Sequence, residues 1–349
     1  MNKNVFIGKL GIGKDFPTRV IAELSCNHQG DLEIAKKTIR SMVESGVDIV
    51  KLQTLTPDKI TLNSDKKDFM IDTGTMWDNR SLYSLYMEIY TPKEWQKELF
   101  DLARSLGVEI FSSPFDLGAV DFLEELNCPA YKIASFEITD IPLIEKCART
   151  MKPIIISTGI AEYEDIKLAI DTCRAVGNDQ IVILKCTSAY PAPLEETNLK
   201  TMADIEKEFD VIVGISDHTM SDLVPISSVV LGGKLIEKHY ILDRKMGGPD
   251  SAFSLEPQEF VSMISKVRDT ESLLGKVDYE LSGKSKASRK YARSLYYIKE
   301  LNEGDIVTED AIQSVRPSLG LHPKHFKEVL NKSIKKKVGY GDPVSWSDF

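Results

Sequence analysis

The sequence predicts an α/β fold, a (β/α)8 TIM barrel followed by a small C-terminal domain. Short β-branched runs alternate with amphipathic stretches eight times over roughly 250 residues, which is the pattern of such a barrel. Every run ends in polar residues, and the character of the chain changes after Leu274-Gly275. A doubly wound open sheet is the alternative, but no GxGxxG motif follows the first strand.

The strands are predicted from their β-branched content and the helices from their apolar periodicity. The predicted strands are residues 19–23, 47–53, 108–113, 130–135, 153–158 and 181–187, and the runs that begin at Val213 and Leu235. The clearest predicted helices are residues 32–45, 92–106 and 163–176. One interval breaks this rhythm, because residues 56–91 leave room for a long loop, a good place for substrate specificity. The alternative is that the aromatic side chains of this loop only cover the barrel.

The organisation of the chain follows from its composition along the sequence. Residues 1–275 are predicted to form the barrel, the polar residues 276–290 a linker, and residues 291–349 a compact unit. A unit of this size buries little core alone, so we expect it to pack against something.

Composition excludes several classes of protein. A net charge of −9 and a pI near 5.3 argue against nucleic-acid binding. No apolar run approaches the ~18 residues of a membrane helix, and the start lacks a secretory signal. The five cysteines include no CxxC pair, which indicates thiols in a reducing compartment. A cytoplasmic protein is expected.

Two of the predicted strands end in a histidine, His218 after Ile215-Ser216-Asp217 and His239 after Glu237-Lys238. Adjacent strands would place the two imidazoles side by side at one rim of the barrel. Each histidine taken singly is more often structural. As a pair beside a carboxylate they suit a borderline divalent ion, zinc and manganese among them.

The remaining strand ends favour an anionic ligand. Ammonium and hydroxyl donors can surround phosphate and carboxylate oxygens, and the strand ends supply both. The polar residues at these ends include Glu23, Lys51, Gln53, Ser113, Lys132, Ser135, Ser157, Ser188, Tyr190, Ser216 and Glu237.

Several of these residues lie in recognisable motifs. In order along the chain they are Ile21-Ala22-Glu23 with Asn27-His28, Lys51-Leu52-Gln53-Thr54, Ser113-Pro114-Phe115, Tyr131-Lys132-Ile133-Ala134-Ser135, Ser157-Thr158-Gly159, Ser216-Asp217-His218 and Glu237-Lys238-His239. Together they resemble the sialic acid synthase family, which makes nine-carbon nonulosonic acids. Arg316-Pro317 with Gly320 resembles that family's antifreeze-like (SAF) domain.

Within the family, the sequence is most similar to the branch that makes pseudaminic acid. The motifs that carry this resemblance are Asn63-Ser64-Asp65, Trp77-Asp78-Asn79-Arg80 with Leu82-Tyr83, Ala292-Arg293-Ser294-Leu295-Tyr296 and residues 314–323. The resemblance implies a transferase that condenses phosphoenolpyruvate with a 2,4-diacetamido-2,4,6-trideoxy sugar aldehyde and releases phosphate by C–O cleavage. Legionaminic or N-acetylneuraminate synthesis, and a non-catalytic sugar-phosphate-binding barrel, are the alternatives.

The resemblance also implies a role for each site residue. His218 and His239 would bind the metal, manganese, with magnesium or cobalt as alternatives. Glu23 and Glu237 are candidates for proton transfer. The residues implied for phosphoenolpyruvate are Ser113, Lys132, Ser135, Ser157, Ser188 and Ser216, and those implied for the sugar are Lys51, Gln53, Tyr190 and Asp250.

The small domain has an implied role as well. It would dock on the partner's barrel in a domain-swapped homodimer, so that Arg316 reaches the acyl-amino group of the sugar there. A deoxy sugar calls for a less polar pocket, which we expect the loop around Met76-Trp77 to provide. The product's expected destination is a surface glycan such as that of flagellin.

Overall fold

A computed structural model describes residues 3–72, 74 and 77–349, and the chain divides into two units, Met1–Gly275 and Lys276–Phe349. The first unit begins with an antiparallel hairpin of β1 (Asn4–Ile7) and β2 (Leu10–Gly13). This hairpin was not predicted. Its strands are four residues long and the second contains two glycines, so neither resembles a β-branched run.

Within the described residues, eight parallel strands close into a barrel in chain order, and β10 pairs with β3 to complete it. This closure confirms the predicted barrel and excludes the open sheet. The barrel strands are β3 (Arg19–Glu23), β4 (Ile49–Thr54), β5 (Glu109–Pro114), β6 (Tyr131–Ile133), β7 (Ile154–Ser157), β8 (Ile181–Cys186), β9 (Ile212–Ser216) and β10 (Leu235–His239).

The strands are apolar on both faces because one face fills the barrel and the other packs against helices. Ile154, Ile155 and Ile156 of β7, for example, are all fully buried. The helices of this unit are α1 (Leu32–Glu44), α2 (Pro57–Ile60), α3 (Leu82–Ile89), α4 (Lys93–Ser105), α5 (Leu117–Glu125), α6 (Ile141–Arg149), α7 (Tyr163–Ala175), α8 (Lys200–Phe209), α9 (Leu223–Val230) and α10 (Pro257–Leu274).

Helix α1 shows why the predicted helices form where they do. The Asp31 side chain accepts hydrogen bonds from the backbone N–H groups of Glu33 and Ile34, which caps the helix start. Ala35, Ile39 and Met42 recur at helical spacing and are buried, so the helix presents one apolar face to the barrel. No helix in the described part of the chain is long and apolar enough to cross a membrane.

The prediction of a long loop at residues 56–91 was wrong in part, because α2 and α3 lie within it. Helix α3 begins where the Ser81 hydroxyl accepts a hydrogen bond from the Ser84 N–H. Its side chains are mainly large and apolar, with little of the polar-to-apolar contrast that reveals an amphipathic helix. Met76, which we expected to help set substrate preference, lies outside the described residues.

The second unit is built around an antiparallel pair, β11 (Ser294–Tyr297) and β12 (Ile312–Val315), with helices α11 (Gly283–Ser288) and α12 (Phe326–Val329). Its own small core includes Leu295, Tyr297, Val307 and Val338. Residues 276–293 are exposed along their whole length and carry α11, in the stretch where we expected a linker.

Candidate active site at the carboxyl ends of the barrel strands

A cavity of about 200 Å³ opens at the carboxyl ends of the barrel strands. It brings together most of the residues predicted from the strand ends or implied by the family resemblance. Those that line it are Lys51, Gln53, Lys132, Ser135, Ser157, Tyr190, Ser216, His218, Glu237, His239 and Asp250. Glu23, Ser113 and Ser188 do not line the cavity themselves, and Arg316 belongs to the second unit.

The charged centre of the cavity is Lys51. Its ammonium nitrogen lies 2.6 Å from Glu23 Oε2 and 2.8 Å from Glu237 Oε1. Strand pairing produces this contact, because Glu23 lies directly opposite Lys51 on the neighbouring strand. Glu23 therefore reaches the cavity through Lys51. Lys132 adds a second ammonium group 3.9 Å from the same oxygen of Glu237.

The imidazoles of His218 and His239 lie side by side, with ring centroids 5.3 Å apart. His218 Nδ1 is within hydrogen-bond distance of the Thr187 carbonyl oxygen, at 3.2 Å. His239 Nδ1 is 3.2 Å from Asp250 Oδ2, but the geometry is not that of a hydrogen bond. Burial lowers the pKa of His239, and the nearby Asp250 offsets this only in part. Burial acts to lower the pKa of His218 as well, but Cys186 and the Thr187 carbonyl outweigh it and raise that pKa. In each ring Nδ1 faces an oxygen, which leaves Nε2 for a metal.

The spacing of the rings fits one shared ion. Two imidazoles that bind one metal through Nε2, at N–metal distances near 2.1 Å, have centroids roughly 5 Å apart. Phe253 packs against both rings, at centroid distances of 5.8 and 5.0 Å, and shields them on one side. Among the described residues, no group of three or more His, Cys, Asp or Glu is arranged to hold a metal.

Serine hydroxyls form a cradle at strands β5 to β8. The Oγ atoms of Ser113 and Ser157 are buried and have no hydrogen-bond partner among the residues that the structure describes. Ser113 is paired with Gln53, which lines the cavity, so its side chain is on the same face of the sheet. Buried hydroxyls without partners are costly and indicate a site built for a ligand.

Gly159 allows the cradle to close. A Cβ atom at this position would lie 2.0 Å from Ser188 Oγ and 2.7 Å from Ser135 Oγ, so a larger residue would displace both hydroxyls from the cradle. The Gly159 N–H donates a hydrogen bond to Ser135 Oγ at 3.0 Å. Ser188 thus belongs to the cradle although it does not line the cavity.

Glu137 is a candidate site residue that the sequence reasoning missed. It lines the cavity, and its Oε2 atom is buried without a hydrogen-bond partner in the described ranges. Burial raises the pKa of this carboxyl to about 7, against the attraction of Lys132. The position of Glu137 in the sequence could have indicated this role, since it follows Ser135 by two residues. It was missed because it lies beyond the end of the predicted strand, residues 130–135.

The other side of the cavity is apolar. From the sequence we expected a less polar pocket, but we predicted only the loop around Trp77 as its source. Helix α3 contributes Leu85 and Ile89, and Phe115 and Phe136 follow barrel strands. Trp77 also lines the cavity, as expected for its loop. The site therefore joins an anion-binding half to an apolar half.

Comparison with known proteins identifies the family to which the chain belongs. The chain belongs to the NeuB family, which its residues 38–279 match, and residues 292–349 match the SAF domain. It is 47% identical to the pseudaminic acid synthase of Helicobacter pylori, over 95% of this chain and 98% of that protein. It is 33% identical to the N,N'-diacetyllegionaminic acid synthase of Legionella pneumophila, over 96% and 95% of the two chains.

A solved structure agrees with this assignment. The spore coat polysaccharide biosynthesis protein SpsE of Bacillus subtilis superposes with a TM-score of 0.68 and 31% identity, over 99% of both chains. Family membership confirms the resemblance seen in the motifs, the small C-terminal domain and the expectation of an enzyme rather than a non-catalytic barrel.

Proposed function

We propose that the protein condenses phosphoenolpyruvate with 2,4-diacetamido-2,4,6-trideoxy-L-altrose and water, and that it releases pseudaminic acid and phosphate. The observation that carries the proposal is a single cavity in which an anion-binding half, two histidines and an apolar wall meet. The 47% identity to a pseudaminic acid synthase, over nearly the whole of both chains, supports this particular sugar.

Phosphoenolpyruvate would occupy the serine cradle. Ser113, Ser157 and Ser188 offer hydroxyl donors to phosphate and carboxylate oxygens, and the buried Lys132, which lines the same cavity as Ser157, supplies a positive charge. Ser135 and Ser216 complete the set, because both line the same cavity. Binding would satisfy the buried hydroxyl groups that have no protein partner, which favours the bound state.

The sugar aldehyde would lie between Lys51, Gln53, Tyr190 and Asp250 on the polar side and helix α3 on the apolar side. Leu85 is buried against the cavity and Ile89 lies one turn along the helix. A methyl group at carbon 6 can pack against these side chains, whereas a hydroxymethyl group would lose hydrogen bonds to water there. The apolar wall thus supports preference for a 6-deoxy sugar.

His218 and His239 would hold a divalent cation, Mn²⁺, with Mg²⁺ or Co²⁺ as alternatives. The 5.3 Å ring spacing and the oxygen atoms beside both Nδ1 atoms support this assignment. When bound, the cation supplies Lewis-acid polarisation of the aldehyde oxygen. With two protein ligands, it would complete its coordination with water and substrate oxygens.

The reaction forms a C–C bond and breaks a C–O bond. Carbon 3 of phosphoenolpyruvate attacks the aldehyde carbon, water adds at carbon 2, and phosphate leaves with the bridging oxygen. Glu23 and Glu237 flank Lys51 and are candidates to move the protons of the new hydroxyl and of the water. Glu137, whose pKa of about 7 lets it hold or release a proton near neutral pH, is a third candidate.

The second unit would complete the site of a partner subunit. Its core is small and includes Leu295 and Val338, and the large apolar side chain of Leu319 is 76% exposed. Arg316 lies three residues from Leu319 and would reach the acyl-amino group of the sugar in the partner's barrel. The proposed assembly is therefore a domain-swapped homodimer.

Phosphate release tests the proposed reaction. The purified protein is incubated with phosphoenolpyruvate and the deoxy sugar, after chelation and again with added Mn²⁺. We expect release only when the sugar and Mn²⁺ are both present, and none from the variant His218→Ala. Full Mn²⁺-dependent turnover by His218→Ala would contradict the metal assignment, and release without sugar would contradict the condensation.

A further inference from the structure

Lys238 and Asp217 form a fully buried ion pair that the proposed reaction does not use. The Lys238 ammonium lies 2.6 Å from Asp217 Oδ2, and the two side chains are 0% and 1% exposed. The same ammonium donates a hydrogen bond to the Thr219 carbonyl at 2.7 Å. Asp217 in turn accepts from the Thr219 N–H at 2.9 Å. Both charges are therefore satisfied inside the protein.

The pair lies on the opposite face of the strands from the cavity. Successive side chains alternate between the two faces of a strand. Ser216 and His218 line the cavity, as do Glu237 and His239, so the intervening Asp217 and Lys238 point away from it. The hydrogen bonds between strands β9 and β10 continue as far as Asp217, because the Asp217 N–H donates to the Glu237 carbonyl at 2.9 Å.

Each member of the pair precedes one histidine of the site by one residue. The contacts through Thr219 fix residues 217–219, with His218 in the middle, to the strand that ends in His239. Gly214 lets the two strands approach closely, since a Cβ there would lie 2.1 Å from the Leu235 carbonyl oxygen. The backbones of His218 and His239 are thus linked by contacts on the face of the sheet opposite the cavity.

Stability alone is a poor reason for this pair. Taking two charges out of water is costly, and apolar residues of similar volume often replace a buried ion pair without loss. Ion pairs of this kind have their best-attested use in specifying one arrangement of the chain. The arrangement specified here is the spacing of His218 and His239.

We infer that Asp217 and Lys238 are positioning residues that set the distance between His218 and His239 for one shared divalent cation. The inference rests on the proposed metal site. Groups that hydrogen-bond to metal ligands typically change affinity by 10- to 100-fold when mutated, and we expect the lower end of that range for residues that act through the backbone of the ligands.

Calorimetric titration with Mn²⁺ tests the inference on the full chain, alongside urea unfolding. The single variants Lys238→Met and Asp217→Leu each leave one buried charge without a partner, so we expect lower stability and a Kd raised at least about tenfold. The double variant should regain stability and still bind Mn²⁺ about tenfold more weakly. A double variant with the parent Kd would overturn the inference, because the pair would then serve only the fold.

Two further variants distinguish a failure of the positioning inference from a failure of the proposed metal site. Arg19→Met breaks a pair with Asp48, 2.9 Å apart, at the amino ends of the barrel strands. It should lower stability and leave the Mn²⁺ Kd unchanged. His218→Ala should abolish Mn²⁺ binding; if it does not, the proposed metal site fails. If it does while the double variant binds as the parent does, the positioning inference alone fails. Asp217→Asn, which keeps the side-chain shape, repeats the measurement should the double variant not fold.

Discussion

Glu237 Oε1 accepts a hydrogen bond from the Lys51 ammonium at 2.8 Å, and the two side chains are only 4% and 5% exposed. Burial alone would raise the pKa of Glu237, but the charges of Lys132 and Lys51 outweigh it and hold that pKa well below its usual range. Burial lowers the pKa of Lys51 to about 8, against the attraction of Glu237. The carboxylate is thus ionised throughout the neutral range, whereas the ammonium group is close to losing its proton.

The pH profile should therefore depend on Lys51. As pH rises through about 8, Lys51 loses its proton and the cavity loses a positive charge, so we expect kcat/KM for the sugar to fall. Lys51→Met should lose activity on the order of 10²-fold and show no fall near pH 8. Phosphate release measured from pH 6 to 10 checks this. Lys185→Arg, a control at a partly buried lysine outside the cavity lining, should keep the parent profile.

Ser157 should matter for the substrate and not for the fold. Its Oγ is buried without a partner in the described part of the chain, so Ser157→Ala removes a group that costs free energy. We expect an unchanged or slightly higher free energy of unfolding and a KM for phosphoenolpyruvate raised about tenfold or more.

Ser112 provides the matched control for Ser157. Its buried Oγ lies 2.7 Å from Thr54 Oγ1, so its hydrogen bond is made within the protein. Ser112→Ala should lower the free energy of unfolding by about 1 kcal/mol and leave the KM for phosphoenolpyruvate unchanged. Equal effects of the two changes on stability and KM would contradict the cradle.

Glu137 should make the protein less stable as pH rises. Its folded-state pKa of about 7 is above the ordinary value of 4.5, so the folded state binds more protons between these values. The free energy of unfolding should fall as pH rises from 4.5 to 7, and the penalty is complete above pH 7. Glu137→Gln should remove this slope and gain about 3 kcal/mol at pH 8, with lower kcat. Urea unfolding at pH 5 to 8 measures it, with exposed Glu164→Gln as the control.

Leu85 should set part of the sugar preference. Leu85 is 8% exposed and lines the cavity, so Leu85→Ser removes apolar contact from the carbon-6 methyl group. We expect the ratio of kcat/KM for the 6-deoxy sugar to that for a 6-hydroxy analogue to fall about tenfold or more. Met87→Ser on the same helix, at a side chain 47% exposed, should leave the ratio alone. If Leu85→Ser leaves this ratio of kcat/KM values unchanged, the apolar wall does not set the sugar preference.

Arg316 should act on the partner's barrel. Arg316→Ala should raise the KM for the sugar and leave that for phosphoenolpyruvate largely unchanged. When Arg316→Ala chains are mixed and reassembled with His218→Ala chains, each mixed dimer contains one barrel with His218 that faces a tail with Arg316. Activity should then recover. Failure to recover in proven mixed dimers would place Arg316 in its own chain's site or outside any site.

Much of the barrel was predictable because each of its strands has a recognisable pattern in the local sequence. A parallel strand buried on both faces, such as Ile154–Ser157, is a continuous β-branched run. The cavity was largely predictable for a related reason, since strands of a barrel carry their last residues to one rim. The neighbouring positions of His218 and His239 were predictable for this reason.

The rest depended on contacts between distant parts of the chain. The raised pKa of Glu137 comes from burial, which the short turn after β6 does not reveal. Helix α3 lacks an amphipathic pattern that would separate it from a loop, so its place in the cavity wall was missed. Asp217 had no predicted role, because its partner Lys238 lies on another strand.

The product itself tests the central claim most directly. The purified protein is given Mn²⁺, phosphoenolpyruvate labelled with ¹⁸O at the bridging oxygen, and equal amounts of the 2,4-diacetamido-2,4,6-trideoxy sugar and N-acetylmannosamine. Mass spectrometry should find the mass of pseudaminic acid as the main product, with the ¹⁸O in the released phosphate. A predominance of N-acetylneuraminate, or ¹⁸O retained in the sugar acid, would contradict the account.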